Sequence, residues 1–136
     1  MIRAPILLLI LLSQISYAEG CRDTAMTQRA INECAYKKSQ SVEVMRTKLE
    51  TEIASSLEVD AKSKFLKSQE AWRVVVSHDC EIESGFFSGG SIEPTIYASC
   101  TEEHIKQRIV KIRYFLCPNW PMTGICPAES QYKVNL

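Results

Sequence analysis

Cys80 and Cys100 flank a stretch that no regular element can cross. Gly85, Gly89 and Gly90 all lie between them, and glycine reaches backbone angles closed to other residues. The chain therefore turns over Ser84–Gly90. Before the turn, Phe65, Trp72, Val76 and Cys80 step by seven, four and four. Leu66, Ala71 and Val75 widen this apolar stripe into the period of a helix over Ala61 to Glu81. The run Val74-Val75-Val76 favours a strand on propensity alone, but the surrounding period and the length favour helix. After the turn, Ile96, Tyr97, Cys100, His104, Ile105, Ile109, Ile112 and Leu116 form a second helical stripe ending by Pro118. Pro94 suits its first turn, with Ser91 or Glu93 as the cap. A Cys80–Cys100 disulfide would clamp these two helices, antiparallel, across the turn.

The same chemistry extends along the chain. The six cysteines are Cys21, Cys34, Cys80, Cys100, Cys117 and Cys126. An even number in a small exported chain reads as a disulfide framework, and six allow 15 pairings. Local geometry favours Cys80 with Cys100 and Cys117 with Cys126, which leaves Cys21 with Cys34. That last bridge requires the residues before the first helix to fold back along it, because disulfide Cα atoms lie within about 7 Å. Export is itself legible. Arg3, the apolar run Ile6–Leu12 and Ser16-Tyr17-Ala18 make a secretory signal over residues 1–18, with cleavage after Ala18. The apolar run is shorter than the roughly 20 residues of a membrane span. Lipid attachment at Cys21 is disfavoured by Glu19 in the preceding triplet.

A first helix is expected from about Ala25 to Leu57, capped by Thr24 or Thr27. Ala30, Ile31, Cys34, Ala35, Val42, Met45, Leu49, Ile53 and Leu57 form its apolar stripe, and Lys37, Lys38, Glu43, Arg46, Lys48, Glu50 and Glu52 cover the rest. Any bend falls at Ser39-Gln40-Ser41, and Asp60 is the expected cap of the second helix. In the tail, Pro118, Pro121 and Gly124 lie inside or beside the Cys117–Cys126 loop, which reads as a compact knot and not a helix. Residues after Pro127 are expected to be loosely held. The fold class is all-α: three main antiparallel helices stapled by disulfides, with a cysteine-closed C-terminal loop. The expected divisions are residues 1–18, 19–116 and 117–136.

Charge and composition narrow the function. Sixteen Lys and Arg balance sixteen Asp and Glu. Loss of Arg3 with the signal leaves the chain slightly negative, which argues against a nucleic-acid partner. His78 and His104 with nearby carboxylates are the only donors for a metal, and no zinc-ligand spacing accompanies them. No Gly-x-Ser-x-Gly nucleophile motif is present, and Glu102 and Glu103 beside His104 read as a wet helix face. No enzyme, cofactor or metal centre is expected. Trp72 reads as core, Gln69 as an ordinary hydrogen-bonding residue one turn before it, and Arg108 as a partner for Glu103 or Glu81. Phe86 and Phe87 either tuck over the end of the helix pair or stay exposed as a partner anchor.

Gln69-x-Ala71-Trp72, Cys80, Gly89-Gly90-Ser91-Ile92-x-Pro94, Cys100 and Arg108 together resemble the LprI-type lysozyme-inhibitor domain, a small exported bacterial helical domain. Asn32-x-Cys34-Ala35 fits the first cysteine region of that family, and the likeness covers roughly residues 27–112. The family has an arginine and then an acidic or amide residue after the tryptophan. Here those positions are Val76 and Ser77, and the Cys117–Cys126 loop looks like an addition. The resemblance implies a bacterial envelope protein, periplasmic or secreted, and for some members inhibition of lysozyme. Lysozyme is basic with a carboxylate-bearing cleft, so an inhibitor would steer by acidic groups and plug the cleft with a rigid protrusion. Asp79, Glu81, Glu83, Phe86, Phe87 and Glu93 are the expected partner-facing residues. The alternative is a structural, adaptor or immunity-like envelope protein that inhibits nothing.

Overall fold

The computed structural model describes Cys21 and residues 27–136. The expected signal peptide, its cleavage after Ala18 and the alternative cap Thr24 lie outside the described residues. Three long helices carry the fold: α1 (Gln28–Ser56), α2 (Val59–Gly85) and α3 (Glu93–Ile112). A 3-10 turn (Arg113–Leu116) and two single-turn helices, α4 (Trp120–Thr123) and α5 (Ala128–Gln131), complete it. None of these helices is long and apolar enough to cross a membrane.

Thr27 caps α1, its hydroxyl accepting the Ala30 N–H at 3.2 Å. The helix then runs unbroken through Ser39-Gln40-Ser41, the place where any bend was expected. Ser39 is buried against the bundle, and a continuous ladder leaves no backbone group to satisfy elsewhere. At 29 residues α1 is about 43 Å long. Only Leu57 and Glu58 separate α1 from α2. Glu58 holds the cap position without a side-chain bond, and Asp60 lies in the first turn. Asp60 is thus not the cap; its charge favours the helix N-terminus from inside. The valine run 74–76 is helical, and α2 continues to Gly85, four residues past its expected end. α3 begins at Glu93 with Pro94 in its first turn, and Ile92 at the cap position makes no side-chain bond. Neither Ser91 nor Glu93 is the cap.

α3 is central, with α1 and α2 both packed on it. Asn32 near the start of α1 reaches Ser91 and Thr95 at the start of α3, and Leu49 and Ile53 of α1 meet Ile105, Ile109 and Ile112 farther along α3. α1 and α3 therefore run the same way, with α2 opposite to both. Leu49, Ile53, Ile109 and Ile112 are fully buried, and each contributes about 1.5–3 kcal/mol by leaving water. A smaller cluster of Val76, Cys80 and Cys100 joins α2 to α3, and Trp72 packs against both clusters.

The three disulfides pair as expected. Cys21–Cys34, Cys80–Cys100 and Cys117–Cys126 have Cα separations of 5.6, 5.6 and 5.4 Å. The tail corrects two expectations. The Cys117–Cys126 loop holds a helical turn, α4, with Pro121 at its start and Gly124 ending it at φ +66°. Beyond Pro127 the chain is not loose. Ala128 and Tyr132 are 3% and 1% exposed and complete the main core beside Leu49 and Ile53. The carbonyl of Tyr132 accepts from Arg113 at 3.3 Å.

Candidate functional site

At one end of the bundle, α2 and α3 are joined by the loop 86–92. Four backbone bonds wind it tightly, from Phe87 to Ser84 (2.9 Å), Ser88 to Gly85 (3.1 Å), Gly90 to Phe87 (2.9 Å) and Glu93 to Gly90 (3.2 Å). Gly89 sits at φ +78°, in the left-handed region that disfavours a Cβ. A Cβ on Gly90 would lie 3.0 Å from the Phe87 carbonyl oxygen. The Glu93 carboxylate accepts the Gly89 N–H at 3.0 Å, so this side chain braces the loop from within.

The loop is also tied to α1. Asn32 Nδ2 donates to the Ser91 carbonyl at 3.0 Å, while its Oδ1 accepts from Gln28 at 2.8 Å and from the Thr95 hydroxyl. Asn32 entered the sequence reading only through a cysteine motif. Its role as a clasp between two helices carries no local signature. With Cys80–Cys100 one to two turns below, the loop is held on both sides.

On this base, Phe86 is 80% exposed and Phe87 46%. They do not tuck over the helix ends: both are exposed, and neither belongs to the two core clusters. Asp79, Glu81 and Glu83 are exposed on the last turns of α2. Glu81 accepts the Ser77 hydroxyl at 2.9 Å and lies 3.5 Å from His78 Nδ1. Residues 74–105 hold Asp79, Glu81, Glu83, Glu93, Glu102 and Glu103 with no Lys or Arg. The chain's overall neutrality thus conceals an acidic end. α1 offsets it in part with Arg29, Lys37 and Lys38, of which Lys37 is paired to Glu33 at 2.7 Å.

A second constellation lies below, in the bundle interior. Arg46 of α1, which the sequence placed on the wet face, is 2% exposed. Its guanidinium binds Glu43 at 2.6 and 2.7 Å and also binds Glu50. Burial pulls its pKa down, but these two carboxylates outweigh burial and the net shift is upward. Arg73 of α2 reaches the same Glu50 at 2.7 and 2.8 Å. Trp72 stands between two guanidiniums, with Arg46 and Arg108 each 5.5 Å from its ring centre, where the ring's electron-rich face attracts a cation.

Arg108 pairs with neither Glu103 nor Glu81. It donates to Gln69 Oε1 at 3.1 Å and to the Ser68 hydroxyl at 3.2 Å. Burial, then the nearby Arg46 charge, lowers its pKa, with Glu50 opposing. Gln69 is completely buried, so it is a core acceptor for Arg108. Val76, where the family pattern has arginine, packs against the Cys80–Cys100 bridge. Arg73, one turn earlier, supplies the charge that crosses to α1. Beside it, Ser39, Glu43, Trp72, Val76 and Tyr97 line a shallow cleft of about 170 Å³.

In this interior the arginines are paired or stacked, and the carboxylates of Glu43 and Glu50 are engaged by them. Among the described residues, Cys80, Cys100 and His104 are the one group of side chains close enough to share a metal ion. Both sulfurs there are committed to the disulfide. The acidic end leaves Phe86 and Phe87 exposed to solvent. The family model for "Lysozyme inhibitor LprI" matches residues 21–111. Neither a curated protein nor a solved structure matches the chain.

Proposed function

The chain belongs to the LprI lysozyme-inhibitor family, and from that premise we propose that it inhibits lysozyme or a related cell-wall hydrolase through the 79–93 end of the bundle. Three disulfides and the family support a location outside the cytoplasm. On this reading it works in the periplasm or after secretion, once residues 1–18 are removed.

The observation that carries the proposal is Phe86. A large aromatic ring is 80% exposed on a loop held by a disulfide, an Asn32 clasp and a glycine turn. An apolar anchor on a rigid base enters a cleft with little entropy left to lose. Asp79, Glu81 and Glu83, exposed on the last turns of α2 before it, add negative charge to this end, which would draw in a basic enzyme and repel acidic partners. Phe87 widens the apolar contact, and Glu93 acts by holding Gly89 in place. The Arg46–Glu50–Arg73 bridge, buried at Arg46 and half-exposed at Arg73, and the Trp72 stack hold α1 and α2 together.

The test is inhibition of bacterial cell-wall lysis by a basic c-type lysozyme. The intact chain should inhibit, more weakly as salt screens the acidic end. Replacing Glu81→Gln, Glu83→Gln and Phe86→Ser together should weaken inhibition at least about tenfold, as removal of one anchor worth about 2 kcal/mol requires. Equal inhibition by the triple variant would remove the site to another surface. No inhibition by the intact chain would refute the function itself.

A further inference from the structure

The opposite end of the bundle is built for a different contact. There the end of α1, the start of α2 and the Cys117–Cys126 loop come together. Leu57, Val110, Tyr114, Phe115, Trp120 and Pro121 line a shallow hollow of about 740 Å³. Leu57 and Phe115 continue into a second hollow of about 430 Å³ beside Ala61 and Lys64. On the same segments, Val59 (81% exposed), Met122 (82%), Ile125 (72%) and Phe115 (51%) face water. Water-facing apolar side chains grouped in this way mark an interaction surface.

We propose that this end docks on an anionic lipid surface. Charge selects that occupant. Residues 104–128 carry Lys106, Arg108, Lys111 and Arg113 and no Asp or Glu. Lys106 and Arg113 are paired to Glu102 and Glu129 and Arg108 lies against Gln69 and Trp72, so the charge offered to a partner is that of the lysines at the hollows. Lys111 and Lys64 line the two hollows themselves. At the start of α2, Lys62, Lys64 and Lys67 outnumber Glu58 and Asp60. A basic enzyme of the kind drawn to the acidic end would be repelled here.

The shape fits as well. Met122 and Ile125 project from a loop closed by Cys117–Cys126 and stiffened by Pro118 and Pro121, so they need no ordering before insertion. Trp120 is 36% exposed and its ring lies 4.3 Å from that of Tyr114, an arrangement suited to the headgroup level, where amphipathic rings collect. Apolar insertion and lysine attraction to anionic lipid then act together, as in other interfacial anchors. The loop lies beyond residues 21–111, so the family match does not account for it. α2 spans the two ends, about 40 Å for its 27 residues. Docking would therefore stand Phe86 away from the bilayer, facing open solvent.

The test is co-sedimentation of the mature chain with phosphatidylcholine vesicles containing about one-third phosphatidylglycerol, against pure phosphatidylcholine. The intact chain should pellet with the anionic vesicles and release at high salt. The Met122→Asp/Ile125→Asp variant, altered only at exposed positions, should partition at least about tenfold less while keeping its thermal unfolding midpoint and lysozyme inhibition. A chain that stays in the supernatant, or a variant that pellets equally, would overturn the proposal. So would a dimer in analytical ultracentrifugation that the double variant splits, without vesicle binding, which would assign the patch to a second copy.

Discussion

Removing the Cys80–Cys100 bridge probes the largest share of the fold with one change. The two residues are 20 apart in sequence, and the chain-entropy relation gives about 3 kcal/mol for a closed loop of that size. Both sulfurs are buried, Cys80 at 0% and Cys100 at 5% exposure, against Val76 and Trp72. Trimming them to alanine leaves a small void that adds about 1 kcal/mol. Cys80→Ala/Cys100→Ala should therefore lose about 4 kcal/mol, a large part of a total that is about 5–15 kcal/mol for a native domain. Urea unfolding followed by circular dichroism measures it, and the slope should rise because the freed denatured chain exposes more surface. The shorter Cys117–Cys126 closure, with a separation of 9, should cost about 2.5 kcal/mol by the same relation. In conditions where the Cys80→Ala/Cys100→Ala variant remains folded, its inhibition of lysozyme should weaken with the loosened loop. A stability loss below about 1 kcal/mol would refute the reasoning, since it would mean that packing alone holds α2 to α3.

Arg46→Met should destabilise the bundle by about 3 kcal/mol, the lower part of the range for breaking a buried ion pair, because the partly exposed Glu43 can rehydrate. Thermal melts of Arg46→Met and of the Arg46→Met/Glu50→Gln pair would show the second change adding about 0–1 kcal/mol, since what Glu50 then loses is its pair with the half-exposed Arg73. Tyr132→Phe should be neutral or stabilising by up to about 1 kcal/mol, because the buried hydroxyl closes no hydrogen bond. Burial, with the Glu52 carboxylate adding to it, raises the Tyr132 pKa well above the ordinary tyrosine value. The contribution of its neutral form is complete below the unfolded value of about 10 and is lost as pH climbs from there towards the folded value. Unfolding midpoints measured up to high pH should fall for the intact chain and fall less for Tyr132→Phe.

The sequence displays the fold well, because helical period and cysteine placement are local properties of the chain. Val76 and Cys80 on one side of the glycines, and Cys100 and Ile105 on the other, sufficed for the clamp. The polar interior was less legible, although a signal was present. Ala35, Ser39, Val42, Arg46, Leu49 and Ile53 advance by alternating steps of four and three, so Arg46 lies on the buried stripe of α1. Phe65, Gln69, Trp72 and Val76 do the same on α2. Residue type argued for solvent while register argued for the core, and register prevailed because Glu43 and Glu50 could neutralise Arg46 and Arg108 could satisfy Gln69. Asn32 and Glu93 were beyond such reasoning. Their partners, Ser91, Thr95 and the Gly89 N–H, are brought near only by tertiary packing or by the exact path of a turn. The tail was misjudged because Ala128 and Tyr132 form no periodic stripe, and nothing in a four-residue helix announces the hole it fills.

Tyr132 has a practical bearing on how this chain can be divided. A segment cut at the end of the family match would keep all of α1, α2 and nearly all of α3, yet it would open one wall of the protein. Leu49, Ile53 and Ile109 would meet water where an aromatic ring had stood. The extension thus closes the core at that end of the bundle, and a segment that stops before residue 132 should unfold more readily than the full chain.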